Sequence, residues 1–253
     1  LSAVFQEQLE KENMELNAFS LLTADAVPED ADGILIYGPS SDISAEEKSM
    51  LEEYVSGGGK LMVLAGPAED GMLTNLYGIL KDYGVEAADG IVVDMDRAHY
   101  AFQSPYVLLP DLHSSEITDP LIQENYYAIM PVAQGLTIQE TESEQVTPLL
   151  TTSELSYGKA DGYALSSYEK EEGDTDGPFA VAVSVAAEQG GQIVWFSSSD
   201  FLDEMYHAYS SGANLDLAMN AVSSLIGENE AVAIRSKSLN YHYLTISDST
   251  SSF

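Results

Sequence analysis

The stretch "SAEEKSMLEEYVSGGGKLMVLAGP", residues 44–67, constrains the fold more than any other part of the chain. Ser44 with Glu47 three residues later is a capping-box pattern, in which side chain and backbone of the first helical turn satisfy each other. Met50, Leu51, Tyr54 and Val55 follow at helical spacing. This predicts a helix over Ala45–Ser56 that stops at Gly57, Gly58 and Gly59, and then a buried strand, "LMVLAG". A helix that turns directly into a strand is half of an alternating α/β unit.

Three glycines and Lys60 also invite comparison with a phosphate-binding loop. Such a loop lies after a strand and before a helix, so that backbone N–H groups at the helix N-terminus face the anion. Here the order is reversed. A helix C-terminus presents carbonyls, which repel phosphate, and no Ser or Thr follows Lys60. The run reads as a helix stop with glycine in the left-handed cap conformation, and no nucleotide or other cofactor is expected.

The neighbouring segments continue the alternation. "LSAVFQEQLEKEN" places Leu1, Val4, Phe5 and Leu9 on one helical face, and "MELNAFSLL" reads as a strand. That first helix is already under way at Leu1, without initiator Met, basic leader or cleavage site, so the chain is read as a piece of a longer protein. "ILIY" (34–37) is a short strand with a Gly-Pro stop. "MLTNLYGILKDYGV" is a helix with Leu73, Leu76, Tyr77 and Leu80 inward and Gly84 as its end, and "GIVVDMD" is a strand. Strand–helix alternation of this kind predicts a mostly parallel sheet covered by helices on both faces, a three-layer α/β fold.

From residue 99 to 177 the helical period fades. Short apolar pieces ("YVLLP", "YYAIMPVA", "GLTI", "VTPLLTT", "GYALSSY") alternate with polar turns, as in a loop- and β-rich insertion, and "YEKEEGDTDGP" reads as an exposed charged linker. The α/β pattern then returns, with strands "FAVAVSVAA" and "GQIVWFSSSD" and a helix over "NLDLAMNAVSSLIGE". The expectation is one α/β domain over 1–253, with 240–253 as an extended tail.

Charge narrows the function classes. Nine Lys+Arg stand against 42 Asp+Glu, a formal net charge of −33. Such a surface repels phosphate backbones and anionic headgroups, which argues against nucleic acid and against electrostatic membrane docking. It suits solubility in a salty exterior, and it also suits a basic partner or divalent cations. The chain contains no cysteine, which removes disulfides, thiolate metal sites and cysteine nucleophiles together. No apolar run approaches the ~20 residues of a membrane-spanning helix.

Individual chemical motifs are weak. "FSSSDF" places Ser197–Ser199 at a strand end beside Asp200, with His207 nearby, but the bulky Phe196 and Phe201 do not suit a nucleophile elbow. Polar residues that close a strand explain it better. "GDTDG" (173–177) and "DMD" (94–96) lack the spacing and closing Glu of a calcium loop. His99, His113, His207 and His242 show no ligand spacing, and no metal site is expected. Tyr126 and Tyr127 before "AIMP" suit alternate burial in a strand, or a partner-facing groove.

The ordered succession of motifs resembles the GldG-like auxiliary components of ABC-type transport systems, including gliding-motility types. "VPEDADGILIYGPSSDISAEEKSMLEEYVSGGGKLMVLAGP" carries the resemblance through Pro28, Asp30–Asp32, Gly38, Pro39, Ser44–Glu47, Tyr54, Gly58–Lys60 and Pro67. "YGVEAADGIVVD", "VTPLLTTS", "GQIVWFSSSDFL", "GANLDLAMNAVSSLIGE" and "AIRSKSL" continue it. "HSSEITDPL" departs from the family's His-Pro-Ile-Thr, with Ser114 for the proline.

The resemblance implies a class I glutamine amidotransferase-like or flavodoxin-like fold. It implies a non-catalytic domain on the extracytoplasmic face of the cell membrane, anchored by transmembrane helices toward which 240–253 leads. It also implies an ABC permease and ATPase as partners. The amidotransferase relatives use a Cys nucleophile that this chain lacks. A carboxylate-dependent hydrolase of extracellular glycan or peptide, and a solute-binding module, are the alternatives. In the family's topology the turns after the first two sheet strands share the carboxyl rim, where open α/β sheets bind ligands. The candidate contact surface is therefore Tyr37, Gly38, Pro39, Ser40 and Ser41 with Gly66, Pro67, Ala68 and Glu69 and the adjoining Ala65.

Overall fold

The capping box at Ser44 is formed in both directions. The Ser44 N–H donates to Glu47 Oε2 at 2.8 Å, and the Glu47 N–H donates to Ser44 Oγ at 3.1 Å. They open α2 (Ala45–Ser56), which buries Leu51 and Val55. The computed structural model describes residues 1–21, 26–28, 31–69, 72–139 and 145–227. At the other end of α2 the Gly59 N–H reaches Tyr54 O at 2.9 Å and the Gly58 N–H reaches Val55 O at 3.0 Å. This pair of bonds is a Schellman stop. Gly58 carries the left-handed backbone (φ +103°), and a Cβ on Gly59 would lie 2.5 Å from the Tyr54 ring. Lys60 Nζ donates to the Gly190 carbonyl at 2.6 Å, so it ties two turns together.

Before α2 come α1 (Ala3–Lys11) and β1 (Ile34–Tyr37); after it come β2 (Lys60–Leu64), α3 (Thr74–Lys81), β3 (Val85–Ala87) and β4 (Ile91–Asp94). Short elements follow: β5 (Val107–Leu108), β6 (Asp111–Leu112), α4 (Asp119–Gln123), β7 (Met130–Pro131), β8 (Leu136–Ile138), β9 (Val146–Thr151), β10 (Ser156–Lys159) and β11 (Thr175–Asp176). The hairpin β12 (Ala180–Ala186) and β13 (Gln192–Phe196) precedes α5 (Glu204–Tyr209) and α6 (Ala213–Ile226).

The main sheet has strand order β1-β2-β13-β12-β8-β3, with β9 joined to β12 and β6 joined to β9. Only β1–β2 and β2–β13 are parallel; the β13–β12, β12–β8, β12–β9, β3–β8 and β6–β9 pairs are antiparallel. The expected mostly parallel sheet is thus corrected to a mixed one. Parallel neighbours need a crossover helix. Here the β12–β13 pair is joined by a short turn that folds the strand back antiparallel, while β3–β8, β6–β9, β8–β12 and β9–β12 pair strands far apart in sequence, linked by long irregular connections.

Alternation along β2 builds the layers. Leu61 and Val63 point with Ile193 and Trp195 into a core closed by α2 and α3, while Met62 and Leu64 join Val194 and Phe196 under α1 and α6. Both faces of the parallel strands are therefore covered. Trp195 is fully buried 4.9 Å from the Tyr77 ring, whose hydroxyl donates to the Ala65 carbonyl at 2.5 Å. Among the described residues, no helix is long and apolar enough to cross a membrane.

Several local expectations change. Residues 14–20 are irregular instead of a strand. "GYALSSY" holds a 3-10 turn at Gly162–Ala164, and helices α4 and α5 appear where no period announced them. The acidic linker is not free: β11 pairs with β10, and Asp174 and Glu171 engage the fully buried Lys159 at 2.8 and 2.5 Å. The segment 99–177 supplies β8 and β9 to the central sheet. The tail 240–253, "AIRSKSL" and His242 lie outside the described residues.

Candidate contact rim

The register of the parallel strands puts Tyr37, Leu64 and Phe196 level with one another. The turns that follow them leave the sheet at one carboxyl edge, stitched by Gly38 N–H to Leu64 O (2.8 Å) and Ala65 N–H to Phe196 O (3.0 Å). The structure thus brings both halves of the expected surface to the same rim. Ser40, Ser41 and Glu69 are exposed there, and Gly66, Pro67 and Ala68 are half-buried.

Side chains from elsewhere hold these turns. The Asp42 carboxylate accepts from the Asn75 N–H (2.8 Å) and the Leu76 N–H (3.0 Å), and so serves the open N-terminus of α3. Tyr37 Oη donates to the Ser199 carbonyl at 3.2 Å, and Tyr163 Oη donates to the Pro67 carbonyl at 3.1 Å. Pro67, Ala68 and Glu69 meet Asp161, Tyr163 and Gln134 around a cavity of about 280 Å³.

The serine run occupies the third turn of the rim. Ser197 Oγ donates to Val181 O (2.9 Å), Ser198 Oγ to Pro131 O (2.5 Å) and Ser199 Oγ to Asp200 Oδ1 (3.1 Å). Each hydroxyl holds backbone or a neighbouring carboxylate, and Ser197 and Ser198 are buried. His207 stands near Glu204; burial pushes its pKa down, and its Nδ1 has no hydrogen-bond partner.

Beside Tyr37 and Tyr127, which the sequence offered as contact residues, the rim carries Phe102, Tyr163, Tyr206 and Tyr209, which it did not. Tyr163 and Tyr206 sit near Asp200, and their hydroxyl pKa values are raised by burial first and then by neighbouring charges. Tyr37 is raised likewise, by burial and then by Asp203 and Asp200, against hydrogen bonds from Ser2. Asp203 is itself raised by burial and by the charge of Asp200. Tyr209 packs against Phe102 with centroids 4.7 Å apart and the rings tilted by 57°, and Tyr127 Oη donates to Tyr209 O at 3.4 Å. These residues come from five separate stretches of chain, and no spacing in the sequence joins them.

A second concavity, an open groove of about 600 Å³, runs past Asp96, Asp111, Thr151, Ser153, Leu155 and Phe179. At its edge His99 lies between Asp96 and Asp111, each 3.3 Å from a ring nitrogen. Asp94 is buried and accepts from the Ser153 hydroxyl (2.6 Å) and N–H (2.8 Å). His113 lies 2.7 Å from Thr151 Oγ1. Among the described residues, no three His, Asp or Glu side chains converge as a metal site.

The fold has relatives among solved structures. The N-terminal domain of mmIFT52 superposes with a TM-score of 0.62 at 14% identity, over 88% of this chain and 89% of that one. A ThuA-like protein from Bacteroides uniformis is similar at a TM-score of 0.46 and 12% identity, over 90% of this chain and 83% of that one. At such identity the first shows a shared fold alone. No curated protein matches the chain. The sequence family described as "ABC-type uncharacterized transport system" matches residues 2–224, which spans every strand of the sheet, its rim and all but the last two residues of α6. On that match the chain belongs to this family of ABC-type transport-system auxiliary proteins.

Proposed function

We propose that this domain is the non-catalytic, extracytoplasmic part of a membrane-anchored, GldG-like auxiliary protein, and that it engages the permease of its ABC system through the carboxyl rim. Family membership supplies the transport context. One observation carries the contact assignment: the turns after β1, β2 and β13 leave one edge of the sheet, beside exposed aromatic side chains and carboxylates. Open α/β sheets use that edge for recognition, and exposed apolar surface rimmed by polar groups is typical of protein contact. Tyr37–Ser41 and Gly66–Glu69 form the surface, with Ala65 buried beneath it, and the ATPase is reached through the permease.

The parallel triplet β1, β2 and β13, covered on both faces, supports reading the core as a variant of the class I glutamine amidotransferase-like or flavodoxin-like arrangement. In this reading 99–177 is an insertion whose strands have joined a single domain, and 240–253 leads to the membrane anchor. The test is capture of the purified cognate permease by the domain, with the Pro39 and Pro67 turns exchanged for Gly-Ser linkers of equal length. Capture should fall by at least about tenfold; capture indifferent to the exchange removes this edge as the contact surface. Protease accessibility in right-side-out against inverted vesicles checks the assigned face of the membrane.

A further inference from the structure

The rim described above combines two chemistries. Its aromatic component is Phe102, Tyr163, Tyr206 and Tyr209; Tyr163, Phe102 and Tyr209 are each about half exposed. Tyr206 and Tyr209 are three residues apart on α5 and so share a helical face. Its charged component is Asp200 and the exposed Asp203, which share one turn in which the Asp203 N–H donates to Asp200 O at 2.9 Å.

No cation neutralises this pair among the described residues. Lys11, Lys48, Lys81, Lys159 and Lys170 pair with carboxylates elsewhere. Lys60 is bonded to Gly190, and Arg97 to Tyr100. A like-charged pair among aromatic faces is relieved by an incoming cation, and a planar guanidinium serves both components at once. It pairs with carboxylate through its N–H fork and stacks on a tyrosine ring. An ammonium lacks the plane, and an anionic headgroup is repelled.

We infer that this rim receives an arginine-bearing, extended segment of a partner protein, with guanidinium groups stacked on Tyr206 and Tyr209 and paired to Asp200 and Asp203. The inference rests on the permease reading above for where the segment comes from. The chemistry it names belongs to the rim alone.

A chain of this net charge attracts any cation, so the test must separate local recognition from bulk attraction. The probe is a peptide of four arginines spaced by Gly-Ser, compared with its citrulline counterpart at physiological ionic strength. Two doubly neutralised variants are matched in charge: Asp200→Asn with Asp203→Asn on the rim, and Glu53→Gln with Glu188→Gln, exposed at the opposite end of the parallel strands. The rim pair should raise the Kd by about tenfold or more. The distal pair should change it by less than about twofold, since exposed charges at the far end of the sheet are screened. Ring resonances of Tyr206 and Tyr209 in the unaltered domain should shift with the arginine peptide, a readout that does not depend on the variants folding.

Equal weakening by both variant pairs, no binding of the arginine peptide, or shifts away from the rim overturns the inference. So does a neutral oligosaccharide that moves the same rings while the peptide does not. Permease capture that is lost on loop exchange while the peptide is ignored refutes this inference and leaves the permease reading intact. Peptide binding at the rim with capture indifferent to the exchange does the reverse.

Discussion

Asn214 completes the backbone hydrogen bonding of Ile129, a residue 85 positions away. Its Nδ2 donates to Ile129 O at 2.9 Å, and its Oδ1 accepts from the Ile129 N–H at 2.9 Å. The same Nδ2 reaches Phe201 O at 2.6 Å. One fully buried amide at the start of α6 thus satisfies three backbone groups from two loops of the rim. Asn214→Ala leaves them without partners. The expected loss is about 2–4 kcal/mol in chemical denaturation, because each buried orphan costs its desolvation. Asp in place of Asn214 should do no better, since it cannot donate to either carbonyl.

The glycine run should behave as a helix stop in stability and be silent in nucleotide binding. Gly58→Ala places a side chain at φ +103° and should cost about 1 kcal/mol or more. Gly59→Ala drives a methyl into the Tyr54 ring, an overpacking cost of about 1–3 kcal/mol. Neither variant should alter an ATP titration, which should be flat in both and in the parent. Saturable ATP uptake abolished by Gly59→Ala would contradict the assignment.

His99 makes part of the stability depend on pH. Burial alone would lower its pKa, but the hydrogen bond and charge of Asp111, with the charges of Asp94 and Asp96, outweigh it and leave the net shift upward. A folded value raised above the ordinary 6.5 means that the contribution is complete below 6.5 and disappears as pH rises through the folded value. His99→Gln should therefore destabilise the domain at pH 5.5 by roughly 0.5–1 kcal/mol, and by much less at pH 9. Thermal unfolding at both pH values checks the sign; an equal effect at both would show that the imidazolium is not what matters.

Lys159 anchors the acidic segment 168–176. Its ammonium is held by Glu169 O (2.8 Å), Glu171 and Asp174. Lys159→Met keeps the stem and removes the charge. It should cost about 1.5–3 kcal/mol, the range for hydrogen bonds to a charged group, and open 168–176 to proteolysis. Burial would raise the pKa of Asp174, but Lys159 and the Glu171 and Ala160 N–H groups turn the net shift downward. Its contribution is present above the ordinary 3.8 and fades as pH falls through the lower folded value, so acid should loosen this segment. Hydrogen exchange of 168–176 that is unchanged by Lys159→Met would contradict the clamp.

The sequence by itself determined the elements whose information is local. Ser44 and Glu47 close a capping box within one turn, Gly58 and Gly59 stop the same helix, and the alternation of Leu61 to Leu64 sets two buried faces. The succession of such motifs was enough to indicate the family. What it did not determine was the direction of the later strands, because a run such as Val146–Thr151 has the same apolar pattern in either orientation. Only the packed structure showed that β12 pairs antiparallel with β8 and β9, and β3 with β8. Only there did Tyr163, Asp200 and Tyr206 join the Gly38 and Gly66 turns in one rim. Those meetings depend on long-range register and packing, for which a linear string of residues carries no period.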